Sequence, residues 1–357
     1  MKLIILNAQT GFSTIIITII IAFTTISILV FMSSFIIRYK RQINQQKEIV
    51  LIQEFQELFS EFLFSEDESL SSIKKFKPYT QNKFDKSILL KTLFKIRNDM
   101  TGDISDKLKM LYVELELDND SIKKIKSTKW NIQIIGMREL SDMKIKKVAK
   151  DIAKLTLHPN KILRKEAQLA LVKINGYEAL NFLNTLTYPL SEWQQLLLLE
   201  TIQYYKGDNL PPLEHLLKSE NDSVILFVLK IIKIFNLFNL KDSIIQLLNH
   251  ENEKIRIETI VLFGELQITD SLAILKRKYT KSTKAVKLKI IELFGEISDE
   301  NGIPFLVEQL KIYDYENNLQ VLRSILNIVG IQKLEELKPK LSTEQQPLLL
   351  HVIEEKN

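Results

Sequence analysis

The sequence predicts an all-α fold: an α-solenoid of two-helix repeats, preceded by a single transmembrane helix and a helical juxtamembrane region. Three observations predict it. Glycine and proline are scarce, 9 and 8 in 357 residues, whereas 45% of residues are hydrophobic; a sheet protein of this length needs more turns than that. An uncharged apolar stretch lies near the N-terminus. From about Lys129 onward, apolar positions recur with a period near 31 residues. The absence of cysteine removes disulfide scaffolds, thiolate metal sites and cysteine nucleophiles. A net charge of +5 is small for a dedicated nucleic-acid binder.

No charged residue occurs from Leu3 to Ile37. Residues 1–11 read as a short extracytoplasmic N-terminus and 12–37 as a membrane helix, since a bilayer core of roughly 30 Å needs about 20 apolar residues. Its Thr and Ser hydroxyls can bond back to helix carbonyls, which makes them tolerable in lipid. A cleaved signal peptide fits less well, because the run outlasts the usual apolar core and no small-residue cleavage site comes after it. Arg38, Lys40 and Arg41 follow the span while only Lys2 precedes it. The positive-inside rule then places the C-terminal side in the cytoplasm of a single-pass cell-membrane protein.

Residues 38–64 form a juxtamembrane helix in which Leu51, Phe55, Leu58 and Phe62 make one apolar stripe. The polar segment 65–82, containing SEDESLSS and KPYTQN, reads as a linker, and 83–128 as a helical hairpin or cap. The repeats occupy 129–341, with a C-terminal capping helix at 342–357. Leu163, Trp193, Val224, Ile255 and Val286 serve as equivalent anchors, and a further unit at Val321 requires a four-residue insertion. Counting 4, 7, 8 and 11 residues onward traces one helix face, as in Val228, Ile231, Ile232 and Phe235. Counting 20 onward meets Leu183, Leu213, Ile244, Leu275 and Leu306 inside second apolar helices. A two-helix unit this short cannot bury its stripe alone, so units must stack.

The LRKEA of Leu163 to Ala167 and the IRIET of Ile255 to Thr259 resemble the V-R-x-x-A opening of HEAT-like repeats of the phycobilisome-lyase type. The LFGEL of Leu262 to Leu266 and LFGEI of Leu293 to Ile297 look like the Leu-Gly turn that closes their first helix. The resemblance covers roughly Lys129 to Leu341. It implies the architecture, in a group comprising adaptors, scaffolds and a minority of enzymes. One enzyme class on this scaffold builds a di-iron centre from several His-Glu pairs, and here only His250 with Glu251 matches. The third unit departs from the pattern, with Glu200 at an apolar position and no arginine after Trp193.

Chemistry has little to work with. His158, His215, His250 and His351 are widely separated, no nucleophile triad is defensible by spacing, and no phosphate loop is present. No enzyme activity and no cofactor are expected. His158 and His250 stand in equivalent inter-unit turns. Two basic stretches remain as candidate contact surfaces. The first is Lys276, Arg277, Lys278, Lys281, Lys284, Lys287 and Lys289, with no acid between Asp270 and Glu292. The second is membrane-proximal: Arg38, Lys40, Arg41, Lys74, Lys75 and Lys77, continuing to Arg97, a segment able to meet anionic lipid.

The leading expectation is a membrane-anchored cytoplasmic scaffold or adaptor that docks protein partners. Nucleic-acid binding through Lys276 to Lys289 is the alternative, disfavoured by the anchor and by 48 basic residues (49 less Lys2) against 44 acidic ones after Ile37. A lyase or metal-dependent hydroxylase is the second alternative.

Overall fold

The computed structural model describes residues 2–64, 70–100, 102–205, 210, 212–297 and 300–356, with side chains from residue 18 onward except 19, 70 and 71. The described residues are helical, without strands. They form two compact units, 1–144 and 145–357.

In the first unit, α1 (Lys2–Phe64) runs unbroken through the apolar segment and the charged segment after it. Ile20–Phe64 is long and apolar enough to cross a bilayer, with a mean hydropathy of 2.4 in its most apolar window. Side chains from Ile20 to Ile37 are exposed, whereas Leu51, Phe55, Phe59, Phe62 and Leu63 are buried. The predicted stripe therefore holds at three of its four positions, with Leu58 half-buried. Within the apolar part, Thr24 donates to the Ile20 and Ile21 carbonyls at 2.9 Å, Thr25 to Ile21 at 2.7 Å and Ser33 to Val30 at 2.8 Å. These bonds hide the hydroxyls. The expected N-terminal tail, 1–11, has no described side chains.

The expected linker needs correction. Its acidic portion, 65–69, lies outside the described residues, but residues 73–80 pack against α1. After α2 (Leu70–Lys74), Phe76 meets Phe59 at a ring distance of 5.1 Å and Phe62 at 6.0 Å, and Tyr79 meets Phe55 edge-on at 4.9 Å. Tyr79 also donates to Glu54, which raises its hydroxyl pKa to about 12. Aromatic side chains made this segment core where its polar neighbours suggested solvent. Helices α3 (Lys83–Asp99), α4 (Asp103–Glu114), α5 (Leu117–Ile125) and α6 (Trp130–Asp142) complete the unit. Its centre holds a polar chain: Tyr112 donates to Ser121 at 2.7 Å, Ser121 donates to Glu139, and Lys124 pairs with Glu139 at 2.5 Å.

In the second unit, α7 (Ala149–Ala153) precedes α8 (Lys161–Asn175), α9 (Glu192–Gln203), α10 (Asp222–Phe235), α11 (Lys241–Gln246) and α12 (Glu253–Glu265). Then come α13 (Ser271–Tyr279), α14 (Lys284–Ile297), α15 (Ile303–Gln309), α16 (Tyr315–Glu335) and α17 (Gln346–Glu354). Gly330, at φ 77°, breaks α16. Taken with α6, the first helices start at Trp130, Lys161, Glu192, Asp222, Glu253, Lys284, Tyr315 and Gln346, so successive differences are 31, 31, 30, 31, 31, 31 and 31. The repeat thus reaches α17, which takes a first-helix position. No four-residue insertion exists. Val321 is one helical turn past its anchor, which is Asn317.

The phase of the third repeat also moves. Trp193 is 69% exposed and Gln194 6%, and the buried face continues through Leu198 and Ile202. The anchor is Gln194, whose amide donates to Gln168 of the preceding repeat. The one-residue shortfall therefore falls between Gln194 and Leu213. Glu200, one position off the buried face, is exposed. The second-helix positions Leu183, Leu213, Ile244, Leu275 and Leu306 are buried as expected. Several of the second helices are short, and those at Gly176–Thr185 and Glu214–Lys218 are 3₁₀ turns.

Five of the first helices begin with a side-chain cap. Asn160, Ser191, Asn221, Asn252 and Asp314 accept from the first-turn amides of α8, α9, α10, α12 and α16. In three of them a long polar side chain four residues later folds back onto the turn. Arg164 donates to the His158 and Pro159 carbonyls at 2.7 and 3.2 Å, and Arg256 to those of His250 and Glu251 at 2.7 and 2.8 Å. Gln195 reaches the Leu190 carbonyl at 3.2 Å. The arginine of the V-R-x-x-A pattern is thus a turn-binding residue.

The Leu-Gly pairs are not helix-closing turns. Gly264 and Gly295 lie inside α12 and α14, buried. A Cβ on Gly295 would stand 2.7 Å from Ser324 Cα, a backbone atom of α16, whereas one on Gly264 would meet the ends of Glu296 and Leu293. Overpacking costs about 1–3 kcal/mol, against roughly 1 kcal/mol gained when Ala replaces a helical Gly. Gly295→Ala is therefore expected to lower the denaturant midpoint, by up to about 2 kcal/mol in stability, while Gly264→Ala costs less because the atom nearest its added methyl is the end of the flexible Glu296 side chain. Urea denaturation of the full chain in detergent, followed by circular dichroism, checks the ranking. Equal losses would show that the close approach to α16 is not what requires glycine.

Candidate interaction surfaces

The basic run at α13–α14 does not form one free surface. Lys276 is half-buried, reaches the Asn301 carbonyl at 3.2 Å and lies over the Phe294 and Phe305 rings at 5.5 and 5.9 Å. Lys278 donates to Asn249, and Lys287 lies 5.5 Å over Tyr279. Lys289 pairs with Glu292 at 2.6 Å. Lys284 bridges Glu316 at 3.0 Å and Asp314 at 3.3 Å, and these hydrogen bonds raise its pKa. Only Arg277 and Lys281 are exposed without such a tie among the described residues. The reason is the repeat. Thirty-one residues bring the next unit's Asp314 and Glu316 beside Lys284, although the sequence between Asp270 and Glu292 holds no acid.

Arg38, Lys40 and Arg41 are exposed along α1 just beyond the apolar side chains. Lys74 and Lys77 are exposed, and Lys75 pairs with Glu61 at 2.5 Å. Farther along, Lys91 pairs with Glu48 at 2.7 Å and Lys86 with Asp120, while Asp85 is taken by Lys47 at 2.6 Å. The second basic stretch is thus partly neutralised by carboxylates of α1 and α5.

The histidines serve local geometry. His158 Nδ1 accepts from the Asn160 amide at 3.0 Å and His250 Nδ1 from the Asn252 amide at 3.1 Å, equivalent contacts that shape the turn before each cap. His215 meets Asn184 at 2.7 Å, and His351 lies 3.1 Å from Glu355. Among the described residues no group of three or more His, Asp or Glu can hold a metal.

One charged locus is not legible in the sequence alone. Lys161, Arg164 and Lys165 occupy the first turns of α8 and face the segment Leu186–Ser191 across a cavity of about 310 Å³. The LRKEA motif marks Arg164 as part of a repeat signature. The unneutralised charge of the three becomes visible only when the opposite wall is known.

The basic run divides by role, and so does its expected response to substitution. Removing Lys276 takes a half-buried side chain from the Asn301 carbonyl and its ammonium from over two rings, so Lys276→Ala is expected to cost about 1–2 kcal/mol. Arg277→Ala and Lys281→Ala are expected to stay within about 0.5 kcal/mol. Denaturant midpoints of the three variants decide this; equal values would return the run to an undifferentiated lysine face.

A scan against protein-family models and a search of curated proteins find no match. Among solved structures, the X-ray structure of YibA from Escherichia coli, a structural-genomics target, is 18% identical, covers 74% of this chain and 99% of its own, and superposes with a TM-score of 0.38. The all-helical repeat fold of this chain stands on its helices, and no activity, ligand or partner comes to it from that likeness.

Proposed function

We propose that the chain is a single-pass membrane protein that presents HEAT-like repeats in the cytoplasm as a docking surface for protein partners. The observation that carries this reading is the contrast within α1. Its side chains from Ile20 to Ile37 find no protein to cover them, and its residues from Leu51 to Leu63 contribute the core of the first unit. The 18 residues 20–37 span about 27 Å, and the 26 residues 12–37 about 39 Å, so a core of about 30 Å is crossed with length left for tilt. The back-bonded Thr24, Thr25 and Ser33 suit lipid. Arg38, Lys40 and Arg41 supply the cytoplasmic charge.

The docking reading is supported by how the repeats use their side chains. Histidines, arginines and amides at the turns are engaged in holding the turns, while outer helix positions such as Trp193 and Tyr204 are left open, 69% and 77% exposed. Confinement to a membrane raises the local concentration of repeats around a membrane-proximal partner. Nucleic-acid binding finds little support, because the run that would grip phosphates is largely tied to rings, carbonyls and carboxylates of its own unit.

The full chain is expected to resist carbonate extraction and yield to detergent, and a chain lacking Met1 to Ile37 to remain soluble and mostly helical by circular dichroism. A reporter fused after Asn357 should read as cytoplasmic, and neutral substitution of Arg38, Lys40 and Arg41 should weaken or invert that orientation. An extracytoplasmic reporter, or a processed soluble species lacking the first 30 to 40 residues, would refute the anchored topology.

A further inference from the structure

The start of α8 is built against electrostatic convenience. Helix N-termini favour acidic side chains, and α9, α10, α12 and α16 carry Glu192, Asp222, Glu253 and Glu316 in their first turns. The first turns of α8 carry Lys161, Arg164 and Lys165 and no acid before Glu166. In α14 the comparable Lys284 is answered by Asp314 and Glu316. No carboxylate lines the cavity beside α8. Glu192, at its edge in sequence, is drawn away to Lys254 at 2.7 Å.

The wall opposite fixes what the cavity can receive. Lys165 Nζ donates to Ser191 Oγ, the cap of α9, at 3.0 Å. Arg164 is nearly buried, is held by the turn carbonyls, and lies 3.8 Å over the Tyr188 ring. Burial, together with Lys161 and Arg164, lowers the pKa of Lys165. Exposed apolar side chains belong to the lining or adjoin it in sequence: Tyr188, 38% exposed, is part of the wall, Ile162 at 52% follows Lys161, and Trp193 at 69% precedes Gln194. Cations without counter-charge beside exposed aliphatic and aromatic side chains complement a ligand that is acidic and apolar together.

We propose that this cavity between the second and third repeats is a docking site for an acidic peptide segment of a protein partner. A Glu or Asp carboxylate sits between Lys161 and Lys165, and neighbouring apolar side chains lie on Tyr188 and Trp193. This deepens the docking reading above and rests on it for the kind of partner, but it does not depend on the membrane topology.

The test uses the full chain in detergent and a fluorescein-labelled twelve-residue peptide with Glu and Leu in helical register, read by fluorescence anisotropy. A peptide with Gln for every Glu, inorganic phosphate, and phosphatidylserine vesicles are the comparison arms. Binding of the Glu peptide should weaken about tenfold in Lys161→Gln/Lys165→Gln and weaken with salt. It should persist in Lys165→Arg and be unchanged in Arg277→Gln/Lys281→Gln. The thermal midpoint of Lys161→Gln/Lys165→Gln should equal or exceed the parent's, because the substitution removes repulsion at a helix start. Trp193→Ala should weaken the Glu peptide without altering competition by phosphate. No binding of the Glu peptide, equal binding of the Gln peptide, or binding insensitive to Lys161→Gln/Lys165→Gln would overturn the proposal. So would phosphate displacing the peptide with Trp193→Ala without effect, or vesicles displacing it better than unlabelled peptide. Failure here leaves the carbonate-extraction and reporter results standing, and failure of those leaves peptide binding in detergent unaffected.

Discussion

The second unit depends on one repeated arrangement: a first helix pinned at its N-terminus, with one face buried between its neighbours. The cap and the back-folding side chain satisfy amides and carbonyls that would otherwise be orphaned in a half-buried turn. The buried face then supplies the free energy. Val228 and Ile232, Thr259 and Phe263, and Ile290 and Phe294 are all completely excluded from solvent. Once the turn is set, the first helix's direction is set, and the apolar positions four and eight residues after the anchor meet the adjacent layer. Gly295 shows how near the layers come, since its α-carbon faces the backbone of α16 with no room for a methyl group.

Such an arrangement separates structural from presentable side chains. Histidine in the turn, arginine after the anchor and glycine inside the helix look like chemistry in a linear reading, yet each is absorbed by the repeat. His158 and His250 present a ring nitrogen to the same amide in two turns three repeats apart. What remains free is a small set of outward residues. The cations of α8 stand apart because they combine a site at a helix N-terminus with the absence of any carboxylate across the cavity. Similar residues at α14 are neutralised by the following repeat.

The first unit is organised differently. A single helix there changes surroundings along its length. Its described side chains from Ile20 to Ile37 are exposed, and its C-terminal part becomes the core around which Phe76, Tyr79 and α3 assemble. Continuity of the helix between the halves means that the packed unit and the apolar segment are joined without a flexible joint within α1.

The sequence by itself determined the all-helical class, the apolar span, the period and the buried positions of the best-patterned repeats. These rest on composition and on the 3.6-residue repeat of a helix, which are local properties. Tertiary structure alone decided the phase of weak repeats. Trp193 is the more apolar residue, yet Gln194 is buried because an amide from the neighbouring layer was there to meet it. It also decided that Val321 lies one turn beyond its anchor, that Phe76 and Tyr79 belong beside α1, and that Gly264 and Gly295 answer to neighbouring helices. The charge surfaces were least legible of all. Seven bases without an intervening acid are mostly engaged, while the three at the start of α8, tied only to neutral groups, face no carboxylate across their cavity, because ion pairs between repeats form between residues about 31 apart and a linear window holds only one of the two.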